Sequence, residues 1–176
     1  MTQADGTEPI QITHQGETAD DPNRPRDHAP AWSPSGDRLV YERYSLDHRH
    51  GAIFTVAVDG SDERRVTPWR LDAAQPDWSP DGRWIILRTQ PSSEGDGDIF
   101  MVHPSGRGLH RVVGGRGEWL SCSFSPSGKR IQAGHVPGVG QDEAADIFVF
   151  ELDGSNMRNL TESNAWESAS DWGPQP

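Results

Sequence analysis

The sequence predicts an all-β fold of the β-propeller class, with three complete four-stranded blades and one orphan strand at each end. The first observation behind this prediction is composition. Only 32% of the 176 residues are hydrophobic, whereas Gly (19), Pro (14) and Trp (7) are abundant. This balance is typical of short strands joined by tight turns. The second observation is an internal repeat.

A turn motif carries the repeat. Residues 32–36, 78–82 and 124–128 read Trp or Phe, then Ser-Pro, then Ser or Asp, then Gly, and a final Trp-Gly-Pro stands at 172–174. The spacings are 46, 46 and 48 residues. Two further columns keep this register: Ile-Phe at 53, 99 and 147, and Gly at 60, 106 and 154. Three columns in one register indicate a chain built from repeated units.

The first unit, residues 29–67, shows the four predicted strands. A short strand at 29–32 ends in Ser-Pro-Ser-Gly, where Pro fixes φ and Gly permits a positive φ, so the chain reverses. The return strand is 38–42, the third strand is 53–58, and a turn at Asp-Gly-Ser leads to the fourth at 64–67. The other two units span 75–113 and 121–161.

The strand patterns predict how the units pack. The third strands are apolar at nearly every position, which indicates that both faces of each sheet are covered. The fourth strands alternate basic and apolar residues, as expected of a soluble outer edge. Four-stranded sheets that stack face to face around an axis form a propeller.

The ends of the chain leave the ring incomplete. The N-terminal segment, 1–28, carries an orphan fourth strand at 10–13 and a linker, and 168–174 carries an orphan first strand, so the blades and this strand occupy 29–174. Propellers typically close with about 4–8 blades. We therefore expect a homo-oligomer, in which two chains give a six-bladed ring. A structural fragment of a larger propeller and an open monomeric arc remain alternatives.

The charge balance excludes several partners. With 27 acidic and 16 basic residues, the formal net charge is −11. A nucleic-acid partner would require clustered Lys and Arg, and anionic membranes would be repelled, so neither is expected. No stretch approaches the roughly 20 apolar residues of a membrane span. A protein or peptide partner is the remaining expectation.

The compartment stays open. The first six residues lack the basic start and apolar core of an export signal. As written, the chain is expected to be cytoplasmic, and it would be periplasmic or extracytoplasmic if an export signal had been removed. The single Cys122 excludes an internal disulfide, and we expect it to be a buried structural thiol.

The candidate ligand-binding residues lie in the loops from a fourth strand to the next first strand, which propellers of this strand order place at the channel mouth. Each such loop holds one Trp with a neighbouring charge. A ring of aromatic side chains could anchor a peptide or a sugar. Alternatively, each Trp packs over the edge of the next blade. The residues are Trp69 and Arg70, Glu118 and Trp119, and Trp166 and Glu167.

Catalysis and metal binding have little support in the sequence. His48 and His50 are weak candidate metal ligands, because imidazoles at alternating positions can point the same way on an extended strand. We otherwise expect no metal and no cofactor. A metal-dependent lyase or hydrolase would need His or carboxylates converging from several blades, and the first strands offer only Asp77 and Asp171. The nucleophile-elbow motif Gly-x-Ser-x-Gly is absent.

The repeat resembles the WD40-like repeat of the TolB β-propeller family. A blade of that family carries Trp-Ser-Pro-Asp-Gly, an Ile-Tyr/Phe third strand, Asp-Gly-Ser and a closing Leu-Thr. The resemblance covers 29–174 and implies a binding scaffold rather than an enzyme. Two features depart from the family pattern. Ser stands at 35 and 127 in place of Asp, and the family's separate N-terminal domain has no counterpart in this sequence. The Pal-binding role of TolB itself is therefore not carried over. The segments that match best are 78–82, 98–100, 146–148, 153–155 and 159–161.

Overall fold

The fold is described by a computed structural model that covers residues 7, 10–13, 26–45, 50–91, 97–138, 144–168 and 170–172. Within these residues the chain forms twelve β-strands, one 3₁₀ turn at Trp69–Leu71 and no α-helix. The strands are β1 (Asp27–Trp32), β2 (Arg38–Tyr44), β3 (Gly51–Ala57), β4 (Arg64–Arg65), β5 (Ala73–Trp78), β6 (Ile85–Thr89), β7 (Ile99–Val102), β8 (His110–Val113), β9 (Glu118–Phe124), β10 (Arg130–Val136), β11 (Asp146–Glu151) and β12 (Arg158–Asn159).

The strands form three antiparallel meanders, each with its four strands in sequence order. We call β1–β4 blade 1, β5–β8 blade 2 and β9–β12 blade 3. The predicted all-β propeller fold is therefore confirmed. The fourth strand of blade 1 is shorter than expected: β4 ends at Arg65, although the N–H groups of Val66 and Thr67 both still donate to the carbonyl of Ile53.

The Trp-Ser-Pro turn closes each hairpin between the first and second strands. Its Ser is buried, and its hydroxyl accepts the N–H of the residue five positions later, which fixes the hairpin register. The turn's Gly has a φ of +73°, +69° and +67° at Gly36, Gly82 and Gly128, a backbone conformation that favours glycine. The three bonds join Ser33 to Arg38 at 3.0 Å, Ser79 to Trp84 at 2.9 Å and Ser125 to Arg130 at 3.0 Å.

The closing Thr of a blade has a similar structural role. Thr67 is 1% exposed, and its Oγ1 accepts the N–H of Ile53 at 2.9 Å. In blade 3, Thr161 Oγ1 accepts the N–H of Ile147 at 3.0 Å. In blades 1 and 3 these bonds hold the end of the outer segment against the third strand.

Apolar side chains fill the space between successive blades. Each buried aliphatic side chain stabilises the stack by about 1.5–3 kcal/mol relative to exposure. Between blades 1 and 2 the core contains Val40, Ile53, Val66, Ala73, Trp78, Ile85, Leu87 and Val102. Between blades 2 and 3 it contains Ile86, Ile99, Met101, Trp119, Cys122, Phe124, Ile131, Ala133 and Phe150.

The N-terminal segment packs on the outer face of blade 1. Ile12 is 7% exposed and forms a cluster with Leu39, Tyr41 and Val56. In the repeat these three positions match Ile85, Leu87 and Val102 of blade 2, which pack with Val66. Ile12 thus occupies on blade 1 the place that Val66 occupies on blade 2. No strand is assigned to 10–13, but the segment packs where the orphan fourth strand was predicted.

The C-terminal segment packs on the outer face of blade 3. Ser170 Oγ donates to Gln132 Oε1 at 2.7 Å, and Gln132 Nε2 donates to the Ser170 carbonyl. Blades 1 and 2 have Val40 and Ile86 at the position of Gln132, so this polar pair is specific to the C-terminal junction. No strand is assigned to 168 or to 170–172, although Ser170 lies on β10 where an inner strand would start the next blade.

Large exposed hydrophobic side chains mark both ends of the stack. Trp32 is 51% exposed, whereas Trp78 at the same repeat position is 7% exposed. Leu160 is 52% exposed, whereas its counterpart Val66 is 6% exposed. A position is thus buried where a neighbouring blade is present and exposed where the stack ends. The other large exposed hydrophobics among the described residues are Ile10, Met157 and Trp166. No helix in this part of the chain has the length and apolar character of a membrane span.

Candidate binding face

The described residues at the start of each third strand meet the chain at the next fourth-to-first connection on one face of the stack, which we call the mouth face. Three junctions show it. The Gly51 N–H donates to Asp72 Oδ1 at 2.7 Å, Gly97 forms a parallel bridge with Glu118, and Ala145 forms one with Trp166. At each junction the start of a third strand thus meets the chain at or just before the start of the next inner segment. The candidate residues predicted from the sequence all lie at or near these junctions.

Trp69 lies in the 3₁₀ turn between blades 1 and 2 and is half-buried. Its ring packs on Phe54 with centroids 5.7 Å apart, and the Arg65 guanidinium lies 5.7 Å from the indole centroid. Asp72, in the left-handed region with a φ of +52°, ends the turn. Arg70 is exposed. Trp69 and Arg70 therefore present a partly exposed indole and an exposed cationic side chain at this junction.

The structure places Trp119 in β9 rather than in the preceding loop, and buries it to 3% exposure. Its ring lies 4.3 Å from the His135 ring, 5.8 Å from Phe148 and 5.6 Å from Phe150, measured between centroids. A side chain enclosed in this way packs the core and offers no surface to a ligand. For Trp119 the packing alternative describes the position, because β9 begins at Glu118 and carries the indole inward.

Trp166 is the exposed aromatic of the mouth face, at 55% exposure. The bridge from its backbone to Ala145 fixes its position, and the following N–H, of Glu167, donates to the Ala145 carbonyl at 2.9 Å. Glu167 Oε1 accepts the hydroxyl of Ser163 at 3.0 Å. Glu167 Oε2 is buried and accepts no hydrogen bond from any described residue.

A polar network centred on Arg88 joins all three blades beneath the mouth face. Arg88 Nε donates to Gln75 Oε1 at 2.7 Å, and its Nη1 donates to Gln90 Oε1 at 3.2 Å and Glu118 Oε1 at 3.4 Å. Gln90 Nε2 in turn reaches the Tyr44 hydroxyl at 3.4 Å. The Arg88 side chain is only 12% exposed. Of the predicted residues, only Glu118 belongs to this network.

The first strands carry bulges that shape this network. The register of β1 with β2 shifts between His28 and Ala31, and that of β5 with β6 shifts between Ala74 and Asp77. In the second bulge Gln75 adopts a φ of +48°, which is costly for a residue with a side chain. Bulges redirect side chains next to functional sites. Here the bulge accompanies the contact between Gln75 and Arg88.

The network was missed in the sequence, although one signal could have indicated it. Arg88 interrupts the otherwise apolar β6, which reads Ile-Ile-Leu-Arg-Thr. A charged residue in a buried strand usually needs a polar partner. Its partners come from other strands and loops at unrelated spacings, so no sequence motif links them.

Asp77 and Asp171, the two first-strand carboxylates, are at different depths. Burial raises the pKa of Asp77 above its ordinary value, and the charge of Asp171 adds slightly to this increase. The N–H of Phe124, which donates to Asp77 Oδ2 at 3.2 Å, opposes the increase. Asp171 itself is exposed. The two carboxylates therefore interact electrostatically.

Of the remaining candidates, the structure describes His50 and Cys122. His48 lies outside the described residues, and His50 is exposed with its N–H donating to Ser45 Oγ at 3.2 Å. Among the residues that the structure describes, no group of three or more His, Cys, Asp or Glu is arranged to hold a metal ion. Burial raises the pKa of the Cys122 thiol, and the charge of Asp77 adds to the shift. A thiol held neutral is a weak nucleophile.

Comparison with known proteins gives one family match and several structural matches. A family described as the TolB beta propeller domain matches residues 12–176. A search of the curated proteins found no match.

Two similar solved structures are TolB proteins. A putative TolB from Agrobacterium tumefaciens is 25% identical, with a TM-score of 0.69, over 76% of this chain and 48% of that one. TolB from Acinetobacter baumannii is 21% identical, with a TM-score of 0.72, over 95% of this chain and 38% of that one. The chain thus spans at most about half the length of these structures.

The fold is also shared with part of a protease. The β-propeller domain of the Trilobed protease from Pyrococcus furiosus is 13% identical, with a TM-score of 0.60, over 78% of this chain and 43% of that one. At this identity the similarity concerns the fold alone.

Proposed function

Because the chain belongs to the TolB β-propeller domain family, we propose that it is a non-catalytic module that binds a protein or peptide on its mouth face. One observation carries the proposal: the junctions of that face hold exposed side chains together with a polar network that joins three blades. Trp166 supplies apolar area, Arg70 supplies charge, and Arg88 with its amide partners supplies a rigid polar floor.

The chemistry of these groups suits an extended peptide. A half-exposed indole offers a large contact area at low conformational cost. Side-chain amides such as Gln90 both donate and accept, so they can pair with a peptide backbone. Trp119 supports this face from below, since its packing on Phe148 and Phe150 fixes the start of β9 and with it Glu118.

The second part of the proposal is that the ring is completed by a second copy of the chain. It is supported by Trp32 and Leu160, which are exposed at the two ends of the stack, whereas their repeat counterparts Trp78 and Val66 are buried against a neighbouring blade. Repeat units bury their apolar faces only against neighbours. Self-association would supply those neighbours and enclose the mouth.

Binding on the mouth face can be tested with peptides selected from a random library on the immobilised protein. We expect Trp166→Ala and Arg70→Ala to weaken the selected peptides, because both side chains are exposed there and neither stabilises the core. Lys129→Ala is the matched control, since Lys129 is exposed in the β9–β10 turn on the opposite face. Equal losses for all three variants, or none for any, would contradict the assignment.

A further inference from the structure

The C-terminal segment 167–172 and strand β1 occupy the same positions of the repeat. Trp172 matches Trp32, and counting back five residues from each reaches an acid, Glu167 or Asp27. The chain therefore carries two versions of an inner strand. One lies on blade 3 and the other begins blade 1.

β1 and the C-terminal segment are held by different blades. β1 pairs with β2 and packs against β5 of blade 2, but 28–30 are exposed and Trp32 is 51% exposed. The C-terminal segment is bound to blade 3 through Ser170 and Gln132, but no strand pairing is assigned to its described residues. β1 thus has the strand pairing that is not assigned to the C-terminal segment, whereas the C-terminal segment has the hydrogen bonds to blade 3.

The two acids differ in the same way. Asp27 binds Arg43 with both oxygens, at 2.7 Å to Nε and 3.0 Å to Nη2. Glu167 has one oxygen on Ser163, while its buried Oε2 receives no donor from the described residues. A buried carboxylate oxygen without a donor is costly and calls for an explanation. An arginine placed as Arg43 is placed beside Asp27 would satisfy it.

We propose that two copies join by strand replacement. Segment 167–172 of one copy stays on its own blade 3 and pairs with β2 of the second copy in place of β1, and Glu167 replaces Asp27 on Arg43 of that copy. This inference rests on the proposed self-association and specifies how it occurs. Two such junctions, related by a two-fold axis, close six blades into a ring.

The apolar surfaces fit this arrangement. The outer face of blade 3 has a cavity of 320 Å³, whose lining includes Val149, Leu160 and Trp172. Inside the chain, the corresponding face of blade 1 is covered by Ile85, Leu87 and Val102 of blade 2. In the repeat, Leu39, Tyr41 and Val56 match these three residues. In the proposed ring, the Leu39, Tyr41 and Val56 side chains of the second copy would therefore cover the outer face of blade 3.

One further exchange follows from the same positions. Ile12 covers Leu39, Tyr41 and Val56 in the single chain, and its place is the one that Val66 takes on blade 2. Leu160 is the residue of blade 3 that matches Val66. In the ring, Leu160 of one copy therefore takes the place of Ile12 on the other, which would bury a side chain that is 52% exposed.

The dissociation constant of the full chain, measured by sedimentation equilibrium, tests the proposal through two substitutions with opposite expected effects. Asp27→Asn weakens the hold of β1 on Arg43, so we expect association to tighten about tenfold. Glu167→Gln removes the replacing carboxylate, so we expect association to weaken about tenfold. Asp59→Asn is the control, because Asp59 is exposed in the β3–β4 turn, where it accepts hydrogen bonds from Ser61 and contacts neither β1 nor β2 in any described hydrogen bond.

Each outcome distinguishes the mechanism from the self-association on which it rests. If the wild type associates and both variants keep its dissociation constant, strand replacement is wrong while self-association stands. If Glu167→Gln tightens and Asp27→Asn weakens association, the partner's β1 displaces 167–172 instead, which also overturns the proposal. A wild type that stays monomeric contradicts both. Asp27→Glu keeps the carboxylate and should retain the wild-type dissociation constant. If Asp27→Glu changes association as much as Asp27→Asn does, the effect comes from a disturbed fold and not from the loss of the carboxylate.

Discussion

Trp119 and Trp166 lie at two successive junctions of the mouth face and differ in burial, at 3% and 55% exposed. We expect Trp119→Ala to lower the free energy of unfolding by about 3–5 kcal/mol, because it leaves a cavity among Phe148, Phe150 and His135. Trp166→Ala should change it by no more than about 0.5 kcal/mol. Urea unfolding of both variants measures the difference. Similar losses for the two would contradict the burial that the structure assigns.

Asp77 provides a prediction of pH dependence. Its folded-state pKa is raised by burial, so the folded protein binds this proton more strongly than the unfolded chain does. The stability that the protonated group contributes is present below the ordinary aspartate pKa and is lost as pH rises through the raised one. Asp77→Asn removes that loss while keeping an oxygen for the N–H of Phe124.

The Asp77→Asn variant should therefore be more stable than the wild type at neutral pH, and the difference should shrink toward acid pH. Chemical unfolding of both proteins across this range tests it. Asp81→Asn serves as the comparison, because hydrogen bonds from Ser79 and the N–H of Arg83 lower the pKa of that exposed carboxyl. For Asp81→Asn the loss should appear at neutral pH and fade in acid. An Asp77→Asn variant that is less stable than the wild type at neutral pH would contradict the raised pKa of Asp77.

At the scale of the strand, one repeat position shows how a neighbouring blade determines the energetic role of a residue. Val66 is buried against blade 2, and Leu160 holds the same place on blade 3 without a following blade. Val66→Ala should cost about 1–3 kcal/mol of folding stability. Leu160→Ala should cost little in the single chain and should instead weaken self-association. Unfolding at a concentration where the chain is monomeric separates these two effects.

Much of each blade follows from local sequence. Ser33, Gly36 and Thr67 stand at fixed positions because each makes a hydrogen bond or backbone conformation that the turn or strand end requires. The Ser and the Gly recur in every unit and the Thr recurs in blade 3, so the repeat predicts strands and their order. The place of Ile12 on blade 1 follows from the same register, because Thr13 aligns with Thr67.

The mouth face was harder to predict because its contacts join residues distant in sequence. The 46-residue register put the start of the third first strand at 121, whereas β9 begins at Glu118 and draws Trp119 into the core. The Arg88 network depends on a bulge at Gln75 and on partners in three blades. Neither the bulge nor the partners leave a pattern along the chain.

At the scale of the whole molecule, the two ends of the stack are unlike. Blade 1 carries a paired ion cluster on its outer side, where Arg43 binds Asp27 and Glu63 and lies 4.6 Å from the ring of Phe54. Blade 3 presents Leu160 and Trp166 instead. Unlike ends favour head-to-tail contact, which closes a ring only when the rotation between copies allows it. The proposed ring of two copies requires that each three-blade stack span half of a six-bladed ring.

Self-association in solution tests the central claim most directly. Sedimentation velocity or light scattering at low micromolar concentration gives the mass of the full chain without assumptions about a ligand. A closed ring of two copies predicts a particle of twice the 19.4 kDa chain mass. A single species of 19.4 kDa across that range would contradict the completed ring and leave an open arc of three blades.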